Sequence, residues 1–201
     1  MRRRTFLAGV AGMAAGACAA TRVVRGDVID FIGLGDQLPS VEQIRAGAAD
    51  YWQLADLIND YRAQSGLARI PLSSKLTAVA TLHARDLHDN APHDKYGSLH
   101  SWSTSEKWRG GPFKRDDATT HAVMWDKPKD LFAYSGYGFE IAVKDARDAA
   151  HALATLQASK LHDDVLRNDG VWADKRWNWR ALGAVFHQGF ACAWFGDKPD
   201  R

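Results

Sequence analysis

The sequence predicts a single α+β domain in which helices come first and a β-hairpin closes the chain. Two observations predict it. Segments in the first half repeat apolar residues at three-to-four spacing, the period of a half-buried helix. Two apolar runs near the end are split by Gln188-Gly189, a two-residue turn of the kind that needs positive φ. Strands do not alternate with helices, so the pattern is not that of a βαβ repeat.

The elements follow in order. Ser40 is a helix N-cap with Gln43 as its capping-box partner. Residues 47–65 read as an amphipathic helix, with Trp52, Ala55, Leu57, Ile58 and Tyr61 on one face and Asp50, Asp56, Asp60 and Arg62 between them. Gly66 stops it. The link 67–72 holds Pro71, and Ser73 or Ser74 then caps a second helix to about Asn90. Leu76, Val79, Ala80, Leu82, Ala84 and Leu87 form its buried stripe. Residues 91–130 have no clear period and scatter Trp102, Trp108, Phe113 and Trp125 among Gly, Ser, Pro and charge. A structureless stretch this long is uncommon inside a domain unless it is functional, so it is expected to cover a surface or hold short strands. Residues 136–143 suit a short strand. Asp145 is expected to cap a third helix to about Lys160, with Ala149, Ala152, Leu153 and Leu156 as its core face. Strands at 181–187 and 190–195 flank the hairpin turn.

Composition bounds the function. The chain of 201 residues gives room for one domain, and 46% hydrophobic with 25% charged residues is a globular balance. The eight tryptophans imply a heavily aromatic core or an aromatic-lined groove. The formal net charge is +2, but Arg2, Arg3 and Arg4 supply three of the 26 basic residues. Without them, 23 basic face 24 acidic residues, a net of −1. No basic stripe is left to attract nucleic acid.

Residues 1–20 read as an export signal: a basic start, an uncharged run from Thr5 to Ala20, and small residues at its end. The run is 16 residues, short for a bilayer span of roughly 20. Arg3-Arg4-Thr5-Phe6-Leu7 resembles the twin-arginine motif, with an ordinary secretory leader as the alternative. Ala17-Cys18-Ala19 fits ordinary cleavage, while Ala15-Gly16-Ala17-Cys18 resembles a lipoprotein box that would acylate Cys18 and anchor the chain to the envelope. Either outcome leaves Cys192 without a disulfide partner, as a buried thiol. Residues 21–39 read as a linker, and the domain is expected over 40–198. An exported protein, periplasmic, envelope-associated or secreted, is the expectation.

The segment L-I-N-D-Y-R-A-Q-S-G-L-A-R-I-P-L-S-S-K-L at 57–76 resembles the first signature of the CAP superfamily (cysteine-rich secretory proteins, antigen five, pathogenesis-related proteins). Ser98-Leu99-His100-Ser101 resembles its first histidine site, Gly138-Phe139-Glu140-Ile141-Ala142 its G-E-N segment, and Ser159-Lys160-Leu161-His162 the bacterial S-P-G-H site. The final A-L-G-A-V-F-H and A-C-A-W-F-G resemble its closing hairpin. The resemblance implies a three-layer α-β-α sandwich with a cleft lined by His100, Glu140 and His162. Ser159 takes the family's second acidic position, Ile141 replaces the Asn of G-E-N, and Lys160-Leu161 replaces Pro-Gly.

Two imidazoles and a carboxylate converging from three segments can bind a divalent metal, and Zn²⁺ suits them. No H-E-x-x-H motif is present. The plainer alternative makes Glu140 a buried hydrogen-bond partner, and His162 a residue favoured by a helix C-terminus. His83 and His88 are five apart on one helix, about 140° around it, and do not face one ligand. His93, His121 and His151 have surface-like neighbours, and His187 adjoins the turn. Ser159 and His162 have no third group to orient them as a nucleophile–base pair. The expected function is a non-catalytic binding module for an apolar or lipid-like ligand, a metal or an envelope partner. The alternative is an envelope hydrolase acting through His100, Glu140 and His162, with or without metal.

Overall fold

A computed structural model describes residues 37–174 and 177–200. The leader, Cys18 and all but the last three linker residues lie outside the described residues.

Helix α1 (Val41–Ala46) starts as expected: Ser40 accepts from the Gln43 N–H, and the Gln43 side chain returns to the Ser40 N–H. The helix expected over 47–65 is broken. A 3₁₀ turn, Ala49–Tyr51, precedes α2 (Gln53–Gln64), and Trp52 joins them at φ −144°. Helix α3 (Ser74–Asn90) is capped by Ser73. Its whole expected stripe is buried. The stretch 91–130 holds short helices rather than strands: α4 (Pro92–Tyr96), a 3₁₀ turn at Ala118–Thr120, and α5 (Ala122–Trp125). A single bridge, Trp102 to Gly111, is its β content among the described residues. Helix α6 (Lys127–Phe132) follows, then β1 (Gly138–Val143).

The third expected helix is two. Asp148, not Asp145, caps α7 (Ala149–Ala158) through the His151 N–H. Asp145 sits instead in a left-handed turn at φ +60°. Ser159 is extended, and α8 (Lys160–Arg167) begins after it. Serine is a poor helix-interior residue because its hydroxyl competes for backbone groups. His162 therefore lies in the first turn of a helix, not at a C-terminus.

Strands β2 (Ala181–His187) and β3 (Phe190–Gly196) form the expected hairpin, with Gln188 and Gly189 at φ +47° and +88°. The sheet is antiparallel, in the order β1-β3-β2. Alternate side chains divide it. Phe139, Ile141, Leu182, Ala184, Ala193 and Phe195 pack with α2, α7 and α8. Ala142, Val185, Cys192 and Trp194 pack with α3. These are the three layers of an α-β-α sandwich.

Two residues of the first signature hold this frame. Asn59 donates to the Ile70 carbonyl at 2.9 Å and accepts from its N–H at 2.7 Å. Arg62, read from the sequence as a surface residue, is 4% exposed. Its guanidinium donates to the carbonyls of Ala68 and Leu166 and to Asn168 Oδ1, tying α2 to the end of α8. Burial lowers its pKa to about 10. Arg62→Ala should lose about 2–3 kcal/mol in urea unfolding, because it orphans several buried acceptors. Arg62→Lys, with no planar fork, should recover less than half of that.

Candidate functional site

The site is built around Glu140 in the edge strand β1. Its side chain follows the parity of Ala142 and turns toward α3. There it meets His83, a fully buried residue of that helix. His83 Nδ1 lies 2.5 Å from Glu140 Oε1, and His83 Nε2 lies 3.1 Å from the Ser101 carbonyl. A carbonyl only accepts, so Nε2 carries a proton, and the short contact at Nδ1 shares another with the carboxylate. The His83 ring stacks on Trp102 at 4.2 Å and 7°. His100 reaches the second oxygen, with Nδ1 2.9 Å from Glu140 Oε2. Cys192, paired with Ala142 across the strands, hydrogen-bonds the same carboxylate. Burial and the Glu140 charge push its thiol pKa well up, so it stays protonated.

Burial opposes ionisation of Glu140. The charge of His83 and the hydrogen bonds from His100 and His83 outweigh it and hold the carboxyl down at about 2. Glu140 is thus a buried carboxylate whose two oxygens are both engaged by imidazoles.

A hollow of about 310 Å³ opens beside this group. Phe139, Glu140 and Ile141 all line it. Three consecutive strand residues point to alternate faces, so the hollow wraps the unpaired edge of β1. His100 enters from the α3 side and His162 from α8. Burial, then the charges of His100 and Arg115, lower the pKa of His162, against a smaller opposing pull from Glu140. Its Nδ1 is buried without a hydrogen-bond partner. The sequence-derived trio His100, Glu140 and His162 therefore borders one hollow. Ser159 does not line it; its carbonyl accepts from His162 N and Asp163 N at the α7–α8 junction.

The wall is aromatic. Neighbouring rings run from His100 to Phe113 at 5.1 Å, to His121 at 5.2 Å, to Trp125 at 4.8 Å, to Phe139 at 6.0 Å and to Trp172 at 5.4 Å. His121, read from the sequence as a surface residue, is part of this wall. A second hollow of about 610 Å³ shares His121, Trp125 and Phe139 with the first. The exposed large apolar residues among those described are Trp125, Tyr137, Leu161 and Val171. All four rim one hollow or the other. The tryptophans of the 91–130 stretch split between two roles. Trp102 is fully buried, with Lys127 Nζ 4.7 Å from its ring centre, whereas Trp125 is wall.

His83 is the residue that sequence reasoning missed. The signal was present: positions 76, 80, 83 and 87 share one helical face, and three of the four are apolar. A histidine there faces the core and needs a buried partner.

Among the described residues, His83, Glu140 and Cys192 are the group of three whose ligand atoms lie within 4.8 Å of one another. That group does not suit a metal. Both His83 nitrogens are taken, the thiol is protonated, and all three residues are buried. A metal ligand needs a free lone pair and a deprotonated sulfur.

The open edge of β1 makes this molecule a cleft-bearing α-β-α sandwich. The chain belongs to the CAP family, the cysteine-rich secretory protein family, whose pattern it matches over residues 55–159. No curated protein matches it. Among solved structures it is similar to an extracellular protein containing an SCP domain from Bacillus anthracis str. Ames. The TM-score is 0.50 with 19% identity, over 80% of this chain and 44% of that one. It is also similar to a cysteine-rich secretory protein from Staphylococcus aureus, at TM-score 0.47 and 15% identity, over 79% of this chain and 40% of that one. The chain spans less than half the length of either solved protein.

Proposed function

We propose that this is an exported binding module whose cleft takes an apolar ligand carrying an anionic group. One observation carries the reading: the exposed large apolar side chains among the described residues gather at the rim of two hollows that share His121, Trp125 and Phe139. Apolar surface concentrated in this way marks a binding site. Arg115, His100 and His162 at the same hollow supply the polar end. The leader expected at 1–20, and the extracellular description of the Bacillus anthracis protein, support export. The acyl anchor at Cys18 remains part of the proposal, as one of two fates of the leader.

The test uses two fluorescent probes, the anionic 1-anilinonaphthalene-8-sulfonate and the uncharged N-phenyl-1-naphthylamine. Both should bind the folded protein saturably. Trp125→Ala should weaken both at least ten-fold, and Arg115→Ala only the sulfonate. Absence of saturable binding, or binding indifferent to Trp125→Ala, would overturn the reading.

The hydrolase alternative has one observation in its favour. Glu140 engages His100 Nδ1 and leaves Nε2 for the hollow, the arrangement of an oriented general base. If Zn²⁺ is bound here, His100 Nε2 and His162 are the donors, with Glu140 orienting His100 rather than ligating. The ion would polarise a bound water. This alternative demands turnover of an ester or peptide that His100→Ala abolishes.

A further inference from the structure

A second group of imidazoles lies away from the cleft, where the end of α3 meets the hairpin turn. His88, in the last turn of α3, and His187, the last residue of β2, have ring centres 5.7 Å apart at an interplanar angle of 76°. The row of Glu140 pairs through Trp194 to Gly183. His187 is four residues further along β2, about 13 Å at strand rise. This is a separate place on the protein.

We propose that His88 and His187 form a binding site for a divalent transition-metal ion such as Zn²⁺. The geometry is close to that of two imidazoles on one ion. A metal–nitrogen bond of about 2.0–2.1 Å puts each ring centre about 3.2 Å from the metal, and a tetrahedral angle then separates the centres by about 5.2 Å. The observed spacing is within about half an ångström of that value. The tautomer of His88 is set correctly. Its Nδ1 lies 2.7 Å from Asp89 Oδ1 and donates to it, which leaves the lone pair on Nε2. A carboxylate holding the far nitrogen is the usual support of a metal-binding histidine. Asp50 and Asp89 stand near His187, so negative charge is at hand to balance a cation. Two protein nitrogens leave the remaining positions to water, and a site of this kind is reversible rather than structural. An ion there would clip the helix end to the hairpin.

The test is Zn²⁺ titration calorimetry on the untagged full chain. The wild type should bind an equivalent of Zn²⁺ that His88→Gln and His187→Gln each weaken at least ten-fold. The double variant His100→Ala/His162→Ala should retain it. In metal-free buffer His88→Gln should melt with the wild type, since its imidazole is 43% exposed. Excess Zn²⁺ should raise the Tm of the wild type and of the cleft variant, but not of His187→Gln. Zn²⁺ uptake untouched by both glutamine variants, or lost only with the cleft histidines, would overturn the proposal. The cleft reading is tested by the probes above and stands or falls apart from this result.

Discussion

Replacing Glu140 by alanine should cost about 3–5 kcal/mol of stability, the size expected when one partner of a buried charged pair is removed. For a domain of this size that is a fall in Tm of about 10 °C or more. The cause is local. His83 is fully buried, and its Nδ1 has Glu140 as its hydrogen-bond partner. Truncating the carboxylate strands that imidazole in a dry interior and releases His100. Glu140→Gln keeps the volume but can offer only one acceptor to two donors, so it should recover part of the loss. The pH dependence identifies the source. The folded carboxyl titrates at about 2, below its ordinary value of 4.5. Its contribution is therefore complete above the unfolded value and fades as pH falls from about 5 toward 2. Urea midpoints of wild type and Glu140→Gln, measured from pH 7 to 2.5, should converge at the acid end. Parallel curves would mean that the carboxylate gains nothing from its two histidines.

The second large effect is expected at Gly183, where the sheet and α3 touch backbone to backbone. A Cβ there would lie 2.1 Å from the Leu76 carbonyl carbon and 2.2 Å from the Thr77 nitrogen. Neither atom can turn aside as a side-chain tip could. Gly183→Ala should lift the start of α3 from β2 and lose about 3 kcal/mol or more. The same displacement moves His83, six residues or about one and two-thirds turns along that helix from Thr77, relative to Glu140. The acid-sensitive part of stability should therefore shrink along with the Tm. A variant with wild-type Tm would show that the helix can slide without loss.

How much of this was legible follows from the range of each signal. Helix α3 and the hairpin were legible because their signals are local: an apolar stripe with a serine cap, and a Gln-Gly turn between two apolar runs. The break at Ser159 was not, since α7 and α8 together carry one nearly continuous helical sequence and only tertiary packing divides them. Glu140 and the two cleft histidines were found by resemblance of short motifs. No periodicity could have joined residues 100, 140 and 162. The spacing of His83 and His88 shows only that they do not face one ligand, and it carries no information on a partner from another segment. The partner of His83 lay 57 positions away on a strand. Gly183 carried a signal that went unread, for a glycine inside a strand marks a close backbone approach.

The stretch from Ser101 to Trp125 hangs from one peg. Trp102 is sunk against His83 and Lys127, Asp86 holds the Ser103 N–H, and Ser101 Oγ accepts from Phe113 N. Beyond that peg the chain makes the aromatic wall through Phe113, His121 and Trp125. Insertion or exchange beyond the peg can therefore change the wall of the proposed cleft without touching the peg or the frame beneath. If the proposed binding role holds, such a division of labour lets specificity diverge on a constant scaffold.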